Sequence, residues 1–320
     1  MQERQELFRR HLQNPIIRPE NMPYPVNAVF NPGATIYNGK TLLLMRVEDR
    51  RGISHLAIAT SSDGITGWEI YPEPALMPDP SRKEEEFGIE DPRITFIHDL
   101  DLWAVTYTAY SRYGPLVSLA LTKDFRHFER VGPILPPENK DAALFSEKIS
   151  KKTSSYFGLI HRPVPVFPGA GAHIWMAYSP DLRHWGGHQV IIQARMGAWW
   201  DADKIGIGPP PLKTSEGWLV LYHGVKRTVS GAIYRCGLAL LDIENPDIVI
   251  ARSNNWIFAP SADYELIGDV DKVVFPCGWV AAGDELRVYY GAADKSIGLA
   301  TAKVSELIEW LEKDGQEKVL

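Results

Sequence analysis

Residues 87–95, FGIEDPRIT, set two carboxylates, Glu90 and Asp91, beside a guanidinium, Arg93, at the mouth of an apolar run. Pro92 removes a backbone donor between them. A turn closed by a salt bridge would use these residues, and so would a catalytic acid held in place. Elsewhere, apolar strand-like runs end in cations: Arg46, His161 with Arg162, and His223. A buried charge is costly unless it is paired or used, so core packing gives no reason for them. Loops just beyond carry Asp49, Lys204, Tyr234 and Asp294. Carboxylates in such a set can bind sugar hydroxyls and supply a general acid. A cluster of Arg, Lys and His suits an anion, most simply phosphate. There is no P-loop and no GxGxxG run opening a helix, which argues against a nucleotide. Glycoside cleavage uses a carboxylic acid to protonate the leaving oxygen, and inverting hydrolysis adds a carboxylate base to activate water. Phosphate is already a nucleophilic anion, so its attack calls for a cationic cradle in place of that base.

These residues meet only if the chain brings them together, and an internal repeat does so. Apolar strands end in a small polar turn at IATSSDGITGW, LALTKDFRHF, WMAYSPDLRHW, LALLDIENPD and GLATAKVSEL. The aligned turn residues are Asp63, Asp124, Asp181, Asp242 and Lys303, spaced by 61, 57, 61 and 61. The first three turns place an aromatic, Trp68, Phe128 or Trp185, four or five residues later. Each unit also has a leading strand (NPGATIY, EDPRITF, FSEKISK, GPPPLKT, FPCGWVA) and a second strand (TLLLMRV, LWAVTYT, YFGLIHR, WLVLYHG, LRVYYGA). Four strands per unit of about 60 residues predict a blade of a β-propeller. Five units predict an all-β, five-bladed ring spanning residues 1–320 as one domain, since a blade cannot bury both faces alone. A β-sandwich with accidental repeats leaves the matched units unexplained.

In such a ring the starts of the leading strands and the exits of the second strands face one end of the central channel. Asn31, Asp91, Ser146 with Lys148, Gly208 and Phe275 are the aligned starts; Arg46, Tyr107, Arg162, His223 and Tyr290 are the exits. Asp91 is thereby aimed into the channel, with Pro92 restraining its backbone. The ends differ from the repeat. Leu7, Phe8 and Leu12 of the arm 1–25 have near-helical spacing, and Val304, Leu307, Ile308 and Leu311 predict a helix within 303–320 with Ser305 as a possible N-cap. Both suit short amphipathic helices covering the outside of the ring; a homo-oligomer contact is the other use for them.

Composition narrows the partners. Net charge is −6 with no long basic run, which argues against nucleic acid. Ten Trp and thirteen Tyr suit a packed β core and also sugar-stacking surfaces. Cys236 and Cys277 have no metal-type spacing and read as reduced core cysteines. The opening MQERQELFRRHLQNP lacks an apolar h-region, and no run reaches a membrane span, so a soluble, cytoplasmic protein is expected.

The fragments FNPGA, LLLMRVEDRRG, GIEDPRIT, FSEKI, HRP, DKIGIGPPPLKT, GWLVLYHGV, YRCGLALLD, FPCGWV and YYGAAD, in that order over nearly the whole chain, resemble glycoside hydrolase family 130, the inverting β-mannoside phosphorylases. The resemblance implies a five-bladed propeller that cleaves the non-reducing-end mannose of β-mannosides with inorganic phosphate, giving α-mannose 1-phosphate without cofactor or metal. It implies Asp91 as general acid, acting through the mannosyl 3-hydroxyl. Arg162, Lys204, His223 and Tyr234 resemble the phosphate cradle, and Asn31, Arg46, Asp49, Asp294 and Tyr107 the contacts to mannose. Arg93 neutralises a neighbouring carboxylate or takes part in catalysis. Some members are hydrolases with extra glutamates in place of part of the cradle; the run Glu84–Glu86 keeps that branch open, although it also reads as a solvated loop. Trp199 and Trp200 suit either an acceptor-sugar platform or a hydrophobic plug. Asn31 stands where arabinanase- or invertase-like propellers use a carboxylate, which counts against those groups. A non-catalytic sugar-binding propeller would not need the cations.

Overall fold

Local chemistry sets the turns before any long-range contact forms. Asp63, Asp124, Asp181 and Asp242 each fold a carboxylate oxygen back onto two backbone N–H groups, two and three residues on, at 2.7–3.0 Å. Such Asx turns are the reason these positions repeat. Trp68 and Trp185 close the same turns by donating to the carbonyls of Ile65 and Leu182.

The computed structural model describes residues 6–165, 167, 169–229 and 231–314. Its strands form five antiparallel sheets, the blades of a propeller. Blade 1 is Ala28–Tyr37, Lys40–Glu48, Ser54–Ser61 and Glu69–Ile70. Blade 2 is Ile89–Ile97, Leu102–Ser111, Gly114–Thr122 and Glu129–Pro133. Blade 3 is Asn139–Leu144, Ser154–Pro163, Ile174–Ser179 and Gly186–Ile192. Blade 4 is Lys204–Ile207, Trp218–Thr228, Gly231–Leu241 and Val249–Arg252. Blade 5 is Val274–Ala282, Glu285–Ala292 and Ser296–Lys303, with its outer strand, Arg9–Arg10, supplied by the N-terminus. The leading strands pack against one another around the channel. The core lies in the seams between blades, as where Leu42 and Leu44 of blade 1 meet Ile94, Val105 and Tyr107 of blade 2. Cys236 and Cys277 are free and buried.

The N-terminal arm departs from the expected helix. Arg9 and Arg10 pair with Thr301 and Ala300 as a strand and so close the ring. Phe8 is buried while Leu12 is fully exposed, so the helical spacing of the apolar residues is not used. Ring closure wins because the third strand of blade 5 offers a row of unpaired backbone groups. A buried carboxylate, Glu265, clamps the closing strand through Arg10 at 2.8 and 3.0 Å. At the other end the helix Val304–Asp314 buries Leu307, Ile308 and Leu311 as expected. Ser305 lies inside it and does not cap it; Asp284 of the preceding hairpin accepts from the backbone N–H and hydroxyl of Ser305. Residues 1–5 of the arm and 315–320 of the predicted C-terminal helix lie outside the described residues. Among the described residues no helix is long and apolar enough to cross a membrane.

Candidate active site

The leading strands of blades 1, 2 and 3 carry the same irregularity. Asn31-Pro32, Asp91-Pro92 and Asp141-Ala142 are β-bulges, each setting two residues against one of the second strand. Asn31, Asp91 and Asp141 have φ of 45°, 50° and 50°. Asn and Asp tolerate this left-handed region better than other side chains, so the bulge itself favours those residue types. A bulge also re-aims its side chain, here into the channel. Pro at the next position fits because the extra residue's N–H would have no ladder partner. Pro92 does not restrain Asp91 in the extended conformation that a following proline favours; the bulge holds it left-handed.

Asp91 is buried at the floor of a channel cavity of about 140 Å³ lined by Asn31, Arg46, Asp91, Lys140, Asp141, Arg162, Lys204, His223, Tyr234, Val270, Val273, Phe275 and Asp294. Asn31 Nδ2 and Arg46 Nη1 both donate to its Oδ1, at 2.8 and 3.1 Å. Oδ2 meets no protein donor among the described residues. Arg46 also binds Glu90 Oε1 at 3.0 Å and Ser54 Oγ at 2.9 Å, and lies over the Phe30 ring. Burial raises the pKa of Asp91, but Arg46, Lys140, Arg93 and the Asn31 bond outweigh it and hold the carboxyl below its usual range. Glu90 goes the other way: burial and the Asp91 charge outweigh Arg46. In the free protein Asp91 is therefore the more acidic member of the pair. Asn31 fits because Gly291 has no side chain; a Cβ there would lie 1.9 Å from Asn31 Oδ1.

Arg162, Lys204, His223 and Tyr234 line the same cavity. Arg162 donates Nε and Nη2 to Asp141 Oδ2 at 2.8 and 2.7 Å. Lys204 Nζ lies 5.3 Å from the centre of the Tyr234 ring. Burial first and then Arg162 lower the Lys204 pKa to about 8, against the pull of Asp141. His223 packs at 4.6 Å on Phe275, and burial takes its pKa down to about 3 despite Asp141, so it enters the cradle as a neutral ring. Its Nδ1 is buried and has no hydrogen-bond partner among the described residues. Asp294, at the mouth, is pushed up to about 7, first by burial and then by Asp91 and Glu90 against Arg46.

Several expected positions move. Ser146 and Lys148 are not at the channel: the leading strand of blade 3 begins six or more residues earlier, at Asn139–Leu144, breaks, and resumes as Ile149–Lys151. Lys148 instead pairs with Asp99 and lies over Phe157. Blade 4 is broken likewise, into Lys204–Ile207 and Leu212–Lys213, so Lys204 and not Gly208 opens it. Lys140 and Asp141 were therefore missed, although KDAAL carries the same Asp-plus-small-residue mark as DPRIT. Tyr107 does not line the cavity; it lies opposite the blade 2 bulge, buried in the seam, and donates to Glu85 at 2.8 Å. Asp49 does not line it either, and instead caps its own hairpin tip by accepting from the N–H groups of Arg51 and Ile53 at 2.7 and 3.1 Å. Nor is the Glu84–Glu86 run wholly solvated, because Glu85 is buried against Tyr107 and Arg130. Arg93 is buried and structural in its contacts: it binds the carbonyls of Asp91, Ile207 and Gly208 and the carboxylate of Asp141 at 2.9–3.4 Å. Trp200 is a plug, stacked on Tyr222 and filling space that only Gly224 and Gly237 leave open. Together with buried Asp201, which accepts from Arg252 at 2.8 Å, it fixes the loop that delivers Lys204. Trp199 stays partly exposed over Arg195.

A larger cavity, about 600 Å³, lies between blades 1 and 2, but its arginines Arg51, Arg82 and Arg112 are tied to Asp49, Asp79 and Glu86. The channel cavity joins a carboxylate with a free oxygen to cationic side chains. Among the described residues no group of His, Cys, Asp and Glu is arranged to hold a metal ion.

Fold and site define a five-bladed propeller whose channel cavity holds a buried acid together with Arg, Lys and His side chains. A family model described as beta-1,4-mannooligosaccharide phosphorylase matches residues 3–313, and the chain belongs to that family, glycoside hydrolase family 130. It is 35% identical to the beta-1,2-mannobiose phosphorylase of Listeria innocua over 96% of this chain and 99% of that one. It is 31% identical to the beta-1,4-mannooligosaccharide phosphorylase of Ruminococcus albus, covering 94% of this chain and 90% of that one. The solved complex of the Listeria innocua enzyme with beta-1,2-mannobiose superposes with a TM-score of 0.86 at 33% identity, covering 96% and 99% of the two chains.

Proposed function

We propose that this protein is an inverting β-mannoside phosphorylase. It takes a β-mannoside and inorganic phosphate and releases α-mannose 1-phosphate and the shortened sugar. A phosphate oxygen attacks the anomeric carbon, the carbon–oxygen bond to the leaving sugar breaks, and the leaving oxygen takes a proton. The observation that carries this reading is that Arg162, Lys204 and Lys140 line the same cavity as Asp91. Attack by phosphate needs such a cradle, whereas attack by water needs a carboxylate base. Asp141 is saturated by two arginines and is not available as that base.

In this reading Asn31, Arg46 and Asp294 surround the mannosyl residue, and Asp91 Oδ2 handles the proton, through the sugar's 3-hydroxyl. Arg162, Lys204, His223 and Tyr234 receive phosphate, His223 as a neutral donor or acceptor. Asp91 is a carboxylate in the free protein and must gain a proton to act as an acid. A bound phosphate dianion adds negative charge beside Lys140, one of the cations that hold its pKa down, so phosphate binding and protonation of Asp91 rise together. The substrates are a mannoside and phosphate, with no organic cofactor or metal in any step.

The test is incubation with β-1,2- and β-1,4-mannobiose, with and without phosphate. The likeness to the Listeria innocua enzyme favours the β-1,2-linked sugar as the first to try. Mannose 1-phosphate formed only with phosphate is the expected result. Free mannose formed without phosphate would instead mark a hydrolase, and binding without either product a sugar-binding propeller.

A further inference from the structure

Asp141 is a carboxylate in the wall of a site that must receive an anion. Its side chain has no exposure. Charge makes it a poor neighbour for phosphate, so attraction cannot be its contribution; orientation can. Oδ2 takes two N–H groups of Arg162 and faces His223 Nε2 at 3.5 Å. With Nε and Nη2 occupied, Arg162 is left to present Nη1, which meets no protein acceptor among the described residues. Oδ1 takes Arg93 Nη2 at 3.4 Å, and Arg93 Nη1 donates to the main-chain carbonyl of Asp91 at 2.9 Å. One carboxylate thus ties the cationic wall to the bulge that holds the acid. The neighbouring blade is shaped around it: a Cβ on Gly206 would lie 2.5 Å from Asp141 Oδ2 and 2.6 Å from His223 Cε1.

We propose that Asp141 is the positioning residue of the phosphate site, fixing Arg162 and His223 so that phosphate meets a preformed cradle. This rests on the phosphorylase reading above. It acts through its partners and not on the sugar, so its loss separates the two substrates. An Asn at this position turns one carboxylate oxygen into a donor that faces the N–H groups of Arg162 or Arg93, and the cradle loses its geometry.

The experiment measures both KM values for wild type and Asp141→Asn, and the rise in Tm that 10 mM phosphate gives each (a concentration of the order of a weak anion's Kd). The expected result is a rise of about tenfold or more in KM for phosphate, with KM for the mannoside within about twofold and the phosphate-induced Tm rise lost. In the synthetic direction KM for mannose 1-phosphate rises in parallel. Unchanged phosphate KM overturns the proposal, and so does an equal rise in both KM values, which a merely structural role would give. If Asp141→Asn does not fold, Gly206→Ala replaces it: the added methyl displaces Asp141 and His223 while keeping every charge, and the same phosphate-selective loss is expected. A normal phosphate KM in Gly206→Ala then counts against the proposal. Wild type that makes no mannose 1-phosphate removes the phosphorylase reading and this inference together; wild type that makes it, with normal variants, removes the inference alone.

Discussion

Replacing Asp91 by Asn should separate chemistry from folding more cleanly than any other change at the site. Both protein donors to this side chain, Asn31 Nδ2 and Arg46 Nη1, converge on Oδ1. An Asn can keep its amide oxygen there and turn its NH₂ toward the cavity, where Oδ2 meets no protein donor. Arg46 keeps Glu90 at 3.0 Å, so no buried guanidinium is left unpaired. Two charge-assisted bonds become ordinary ones, a loss of roughly 1–2 kcal/mol, partly offset because a carboxylate no longer has to be kept from water. With about 2–4 °C per kcal/mol for a chain somewhat smaller than this one, Tm should fall by less than about 8 °C. The proton donor, however, is gone. General acid catalysis contributes about 10²–10⁴-fold, or roughly 3–5 kcal/mol of barrier, and kcat should fall by that factor. The assay is release of mannose 1-phosphate from β-mannobiose at saturating phosphate, alongside a thermal melt. Near-wild-type kcat in a folded variant would falsify the role of Asp91. A Tm drop well beyond the stated range would refute the argument that Oδ2 bears no structural bond.

Lys204 gives a pH signature. With its pKa lowered to about 8, it loses its charge as pH rises from 8 to 9, where phosphate is already a dianion. KM for phosphate should climb over that interval, and Lys204→Arg should flatten the climb; a flat wild-type profile would count against the lysine. Asp294 makes a prediction about stability. Its pKa is raised to about 7 in the fold, so folding favours the protonated form, and the group costs stability as pH rises from its unfolded value through about 7. Asp294→Asn should therefore raise Tm at pH 8, by an amount equivalent to about 1–2 kcal/mol after allowing for its partial exposure, and not at pH 4. Equal effects at both pH values would show that burial does not govern this carboxyl.

Most of the ring was legible from local patterns. The Asp turns are fixed by side-chain bonds to backbone two and three residues away, so they recur in sequence at the blade period. The C-terminal helix buries the residues its spacing indicates. Less legible was where a leading strand begins. Blades 3 and 4 interrupt it, and the outer pieces, Ile149–Lys151 and Leu212–Lys213, pair with the same second strands as the inner ones. A spacing of 15 residues from Ser146 to His161 thus matched the wrong half of a broken strand and hid Asp141. The N-terminal arm misled for a related reason: its helical spacing was outweighed by an unpaired strand edge some 290 residues away, between Arg10 and Ala300.

The sequence by itself determined the number of blades, the matched register of Asn31 and Asp91 in blades 1 and 2, and the residue types gathered at one end of the channel, because each depends on turns and alternation within a few residues. Tertiary structure alone decided which of those residues share the cavity. Tyr107 and Asp49 sit at matching positions of the repeat yet spend their polar groups on Glu85 and on a hairpin tip. Asp141, Arg162, Arg93 and His223 come from three blades, and their charges meet only when those blades pack side by side. Ionisation follows the same division, since the proton preferences of Asp91, Lys204 and Asp294 depend on burial and on neighbours distant in the chain.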